Sequence, residues 1–147
     1  MADISFNIAK GKAAYLAGLP AANDALKAIP IETSGIVSDA TMRDYDDLAT
    51  LLAGASNEQT TMGRKTLASV SVTVDDTNDW VLIDCADITW TAASGNAISA
   101  LVIVYDPDTT SPTDGNMIPL AKLDCVVTPA GGDITYQVAS GGFYKAA

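Results

Sequence analysis

The chain has 147 residues, 48% of them apolar and 18% charged, enough for one domain with a substantial core and too few for two. With a mean hydropathy of +0.21 it is too apolar for a disordered chain, and no apolar run approaches the roughly 18 residues of a membrane-crossing helix. Eighteen acidic residues against 8 basic ones give a formal charge of −10, and the basic residues are scattered, so nucleic acid and anionic membrane surfaces are excluded as expected partners.

The alternation Ile4, Phe6, Ile8 suits a short strand or an extended N-terminal arm over residues 1–12. Residues 13–147 then form a β-rich body. Residues 12–19 read as a second strand or a weak helix, and the apolar residues Leu26, Ile29 and Ile31 follow. Pro30 argues against a helix there and places any strand at an edge or a bulge.

One amphipathic helix is expected over about 40–53. Ser38 or Thr41 caps it, Met42, Tyr45, Leu48, Leu51 and Leu52 share one face, and Gly54 stops it. Asp44, Asp46 and Asp47 lie on successive positions about 100° apart, so they read as a solvated face rather than as paired catalytic carboxylates.

From Thr66 onward the pattern is that of strands. Val70, Val72 and Val74 alternate with Ser71 and Thr73 and end at the turn Asp75-Asp76-Thr77-Asn78-Asp79. Residues 80–84 and 88–91 follow. The run 98–105 is nearly all apolar and β-branched, which marks a strand covered on both faces. Residues 117–128, 134–138 and 142–144 complete the series, separated by Gly, Pro, Asn and Asp. The fold class is therefore mainly β, an antiparallel β-sandwich or barrel with one short helix and an N-terminal arm.

Chemistry is sparsely signalled. There is no histidine, which removes the commonest general base and metal ligand, and no nucleophile–base set stands out, so the chain does not read as an enzyme. Cys85 and Cys125 lack zinc-site company and read as buried free thiols. Asp106, Asp108 and Asp114 invite a calcium reading, but their spacing is not that of an EF-hand, and they read as a solvated loop. Asp75, Asp76 and Asp79 read the same way. No cofactor or metal is expected. Trp80 and Trp90, with Tyr136 and Tyr144, would suit a sugar-binding surface, although aromatics on strands are more often core. The polar tract 57–65 holds the single basic pair, Arg64-Lys65, and reads either as a surface loop or as a contact tract for a neighbouring subunit.

Five segments taken together resemble a family of small structural proteins of tailed bacteriophages, the capsid decoration or cement proteins. They are Ile4-Ser5-Phe6-Asn7-Ile8-Ala9-Lys10-Gly11-Lys12, Ser38-Asp39-Ala40-Thr41 running into Asp44-Tyr45-Asp46-Asp47-Leu48, the tract 57–65, Asp87-Ile88-Thr89-Trp90-Thr91-Ala92-Ala93, and Gly141-Gly142-Phe143-Tyr144. The resemblance implies a virion protein on the capsid exterior, made in the host cytoplasm. It also implies the major capsid protein and further copies of this chain as partners, with a trimer as the common assembly. Such a staple needs shape and contact area rather than chemistry. The N-terminus carries no basic and apolar leader pattern, in keeping with cytoplasmic synthesis.

The residues expected to make intersubunit contacts are Ile4, Phe6, Ile8 and Lys10 of the arm, and Asn57, Glu58, Gln59, Arg64 and Lys65 of the tract. The arm would add a strand to a neighbour's open sheet edge. The alternative function is a non-catalytic host-surface or glycan-binding β-sandwich module on the virion.

Overall fold

The computed structural model describes residues 2–54 and 57–147. Ten strands are described: β1 (Ile4–Ser5), β2 (Ala25–Glu32), β3 (Lys65–Thr66), β4 (Ser71–Asp75), β5 (Trp80–Asp84), β6 (Ile88–Trp90), β7 (Ile98–Asp106), β8 (Ile118–Val127), β9 (Ile134–Tyr136) and β10 (Tyr144–Ala146). Three short helices accompany them, α1 (Ala13–Ala17), α2 (Asp39–Met42) and α3 (Leu48–Ala53). Every strand pairing is antiparallel, and the fold is mainly β. No described helix is long and apolar enough to cross a membrane.

The central sheet has the order β1-β8-β7-β2-β3. Its two outer strands do not meet, so it is an open layer and not a closed barrel. β7 lies in the middle and all nine of its residues are buried. Along it the side chains alternate between faces, as a pleated strand requires. Leu101, Ile103 and Tyr105 join one apolar cluster, while Ala100, Val102 and Val104 join the other. This double burial is why 98–105 carries so little polarity.

The first cluster lies between the central sheet and a second β layer, made of the sheet β10-β5-β4 and the pair β6-β9, with α1 packed against it. The second lies beneath the helices, where Met42 of α2 and Leu48 and Leu51 of α3 meet Phe6, Ile29, Ile31 and Met117. The arrangement is a sandwich of two β layers with helices over its remaining face.

Two expected elements differ. The helix over 40–53 is two helices broken at 43–47. Ser38 caps α2 through its hydroxyl, which accepts the Thr41 amide, and Gly54 ends α3. Between them Asp47 becomes a fresh N-cap, its carboxylate accepting both the Thr50 amide at 2.7 Å and the Thr50 hydroxyl at 2.8 Å. A short acid that bonds backbone amides favours a helix start over a helix interior, so the aspartates divide the apolar face without removing it from the core.

The N-terminal arm is not an arm. Ile4 and Ser5 pair with Lys122 and Ala121 of β8, Phe6 is fully buried, and residues 7–9 form a 3₁₀ turn that leads to α1. Large apolar side chains at Ile4 and Phe6 gain more from their own core than from solvent.

Pro30 sits inside β2, where the pairing with β7 runs from Ala25 to Glu32 with a bulge at Ile31/Glu32. Its carbonyl accepts the Gln59 amide on the side away from β7. Nitrogen and carbonyl of one strand residue point to the same side, so the missing N–H faces outward, beyond the end of β3, and no ladder bond to β7 is lost.

Candidate functional site

The tract 57–65 is bound into the body. Gln59 is buried: its Nε2 donates to Asn96 O at 2.9 Å and its Oε1 accepts the Thr61 amide at 2.9 Å. Gly95 (φ +114°) makes room for it, since a Cβ there would come within 2.6 Å of the Gln59 amide. Gly63 presents its carbonyl to Trp90 Nε1 at 2.9 Å.

Arg64 forms a double fork. Its Nε and Nη2 donate to the two Glu58 oxygens at 2.8 and 2.7 Å, and its Nη1 and Nη2 donate to the two Asp114 oxygens at 2.6 and 3.0 Å. Planar guanidinium geometry matches two carboxylates in this way, whereas lysine offers only a point charge. The two acids raise the guanidinium's proton affinity further, and Arg64 in turn holds Asp114 below the usual carboxylate range.

A second clamp is deeper. Lys122 of β8 is fully buried and places Nζ 2.8 Å from Asp39 and 2.9 Å from Asp124. Because Asp39 opens α2, this pair ties the helical layer to the sheet, and the Lys122 hydrogen bond lowers the Asp39 pKa. A third pair joins Lys27 to Asp106 at 2.7 Å. Asp106 is fully buried, and its outer oxygen meets the lysine as an ion pair outside hydrogen-bond alignment.

These positions correct the expected contact surface. Ile4, Phe6 and Gln59 are buried; Ile8 packs on the helical-side core, and Glu58 and Arg64 are joined to each other. Lys65 is half-buried in β3, opposite Ala28. Only Lys10, whose Nζ donates to Asn7, and Asn57, whose side chain donates to Ser34 O, are exposed. The residues form internal joints and do not converge on one outer patch. One signal for this was already present: Lys27 and Lys122 each interrupt an apolar strand, and a buried lysine needs an acid brought from elsewhere.

The expected solvated loop of Asp106, Asp108 and Asp114 is likewise an anchored one. Asp106 faces Lys27, Asp114 faces Arg64, and Asp108 accepts the Thr110 amide and hydroxyl in its own turn. Asp75 folds the 75–79 turn by accepting the Thr77 and Asn78 amides and the Asn78 side chain, which depresses its pKa. Among the described residues no three potential ligands are grouped as a metal site.

Cys85 and Cys125 are free, Cys85 buried and Cys125 half-buried. Burial pushes the Cys85 thiol up to about 11 and Cys125 upward too, away from thiolate reactivity. Trp90 is buried and unavailable to a sugar. Trp80 is half-buried, with the Lys145 ammonium 3.0 Å from its ring centroid and Nε1 buried without a partner. A cation lying on the ring occupies the face a sugar would stack against.

What remains outward is shape. A shallow groove of about 300 Å³ is bordered by Val74, Asp75, Asp79 and Trp80, and one of about 160 Å³ lies between β1 and β10. The scan of family models, the search of curated proteins and the search of solved structures each return no match for this chain.

Proposed function

We propose that the chain is a non-catalytic structural subunit of a phage virion, a capsid decoration or cement protein that stabilises the shell by bridging neighbouring capsomers. The observation that carries this reading is the use of the charged side chains. Arg64, Lys122 and Lys27 each lock onto an acid from a distant part of the chain: Lys122 fastens the helical layer to the central sheet, Lys27 joins β2 to β7 within that sheet, and Arg64 ties the 57–65 tract to Asp114. A stiff acidic body with open strand edges suits a staple, which works through contact area and resists deformation. The charge of −10 keeps free subunits apart before docking. The resemblance of the five segments adds the virion context.

The test is direct. Purified protein mixed with shells lacking it should co-sediment to saturation and raise the temperature at which those shells open. Failure to co-sediment, with an unchanged opening temperature, overturns the proposal. Because Ile4 and Phe6 belong to the core, deleting residues 2–12 should lower the subunit's own melting temperature along with its attachment. Docking is therefore better probed with the exposed pair Lys10→Glu and Asn57→Ala, which leave the fold intact.

A further inference from the structure

The sheet edges are not alike. β1 and β3, the flanks of the central sheet, have two residues each, and β10 has three with Lys145 in the middle. The two-stranded sheet β6-β9 has three-residue strands. β4 is the outer strand of its sheet, has five residues, and carries no charge from Ser71 to Val74. It has neither the proline nor the lysine that commonly protects an edge, and its pairing with β5 is regular, without a bulge. Apart from β5, no backbone group of residues 71–75 is bonded to another described segment.

The pattern of β4 also fits itself. Laid antiparallel against a second β4 about a twofold axis at Thr73, the strand sets Thr73 opposite Thr73, Val72 opposite Val74 and Ser71 opposite Asp75. Val72 packs on the core, yet Val74, on the same face, is 65% exposed. In this register each exposed Val74 meets the other copy's Val72, so both apolar pairs are buried by one operation. On the opposite face each Asp75 carboxylate meets a serine hydroxyl rather than another acid. No like charges stand directly opposed, a complementarity that β10, opposing Lys145 to itself, lacks.

We propose that two copies of this chain associate through β4, continuing the sheet β10-β5-β4 across a twofold axis. This rests on the strand edge alone and holds whether or not the chain is a virion protein. The contact is isologous, so it closes at two subunits. Five residues a side bury far less than the roughly 1,200 Å² of a stable interface, so in dilute solution the pair is weak and forms at high local concentration. Salt should strengthen it, since each copy carries the same net charge.

Cross-linking tests the register. Thr73→Cys, on the twofold axis, should give a disulfide-linked dimer on oxidation at ~100 µM protein, a concentration suited to an interface of this small size. Ser71→Cys should not, because its own symmetry mate lies about 13 Å away at ~3.3 Å per residue. Cys85 and Cys125 are present in both variants, so any background they give is common to the two. Thr73→Lys, which places two ammonium groups face to face on an exposed position, should raise the dissociation constant measured by sedimentation equilibrium at least tenfold, with an unchanged melting temperature. Equal cross-linking of both cysteine variants, or none, overturns the proposal. So does an association that Thr73→Lys leaves intact, or a trimer mass at all concentrations. If Thr73→Lys abolishes shell binding while Thr73→Cys gives no linked dimer, the edge belongs to a different chain and the self-pairing is wrong.

Discussion

The two faces of the central sheet are built differently. On the helical side every buried cluster member but Ile4 is fully enclosed, with Ile8, Ile36, Val37, Tyr45 and Leu52 as a part-buried rim, and the Lys122–Asp39 pair fastens the covering helix to the sheet beneath. On the other side a larger cluster is fringed by half-exposed Val70, Val72, Ile134, Tyr136 and Tyr144, and the covering β layer is held mainly by apolar contact. A face held by both packing and a charge clamp carries stability, whereas a face held by packing alone, with β4 at its margin, has an edge to offer.

The sharpest way to break this comparison is to remove a sealed side chain. Phe6→Ala should cost about 3–5 kcal/mol in chemical denaturation, the range for deleting a fully buried aromatic ring. A cost under 1 kcal/mol, comparable to that of an exposed site, would show that the helical face is not the stable one.

Next in size is the deep clamp. Lys122→Ala leaves Asp39 and Asp124 facing each other without a cation. Breaking buried pairs costs 3–5 kcal/mol, and these acids are 23% and 33% exposed, so about 2 kcal/mol is expected. The loss should appear first as weakened hydrogen-exchange protection in α2, with β4 and β5 little changed.

On the looser side the expected effect is smaller and local. Gly142 has φ +82°, and a Cβ there would fall 2.3 Å from Ile83 O, a backbone atom that cannot move aside. Gly142→Ala should peel β10 from β5 at a cost of about 1–2 kcal/mol, as expected for side-chain strain at a left-handed position. Withdrawal of Lys145 from Trp80 would alter the tryptophan emission while the central sheet stays protected. Global unfolding instead would mean that the β layer is as tightly coupled as the helical one.

Acid gives the finest comparison. Asp39 and Asp114 are held below the ordinary 3.8 in the folded state by Lys122 and Arg64. A depressed folded pKa contributes stability that is fully present above the unfolded value and lost as pH falls through the folded one. The melting temperature should therefore decline below about pH 4, where unfolded carboxylates take up protons. Asp39→Asn and Asp114→Asn should each flatten that decline, and equal slopes in all three proteins would refute the assignment.

Much of the fold is legible in the residues because it depends on local rules. The apolar β-branched run of β7 announces a strand buried on both faces, Ser38 announces a cap, Gly54 a stop, and 75–79 a turn. The sandwich class follows from strand spacing. What is not legible is long-range. Arg64 meets Asp114 and Lys122 meets Asp39 across 50 and 83 residues, and no spacing rule joins them. Gln59 looks like a surface residue until Asn96 and Gly95 are seen to enclose it. The expected helix over 40–53 failed for a related reason: its apolar periodicity describes the buried face, while Asp47 starts a new helix within it.

Pro30 carries a final consequence. Beyond β3 the outer side of β2 is already closed: the Gln59 amide is spent on the Pro30 carbonyl and the Glu32 amide on Asn57 O, so a stranger chain meets the 57–59 segment there and not a bare rung of β2.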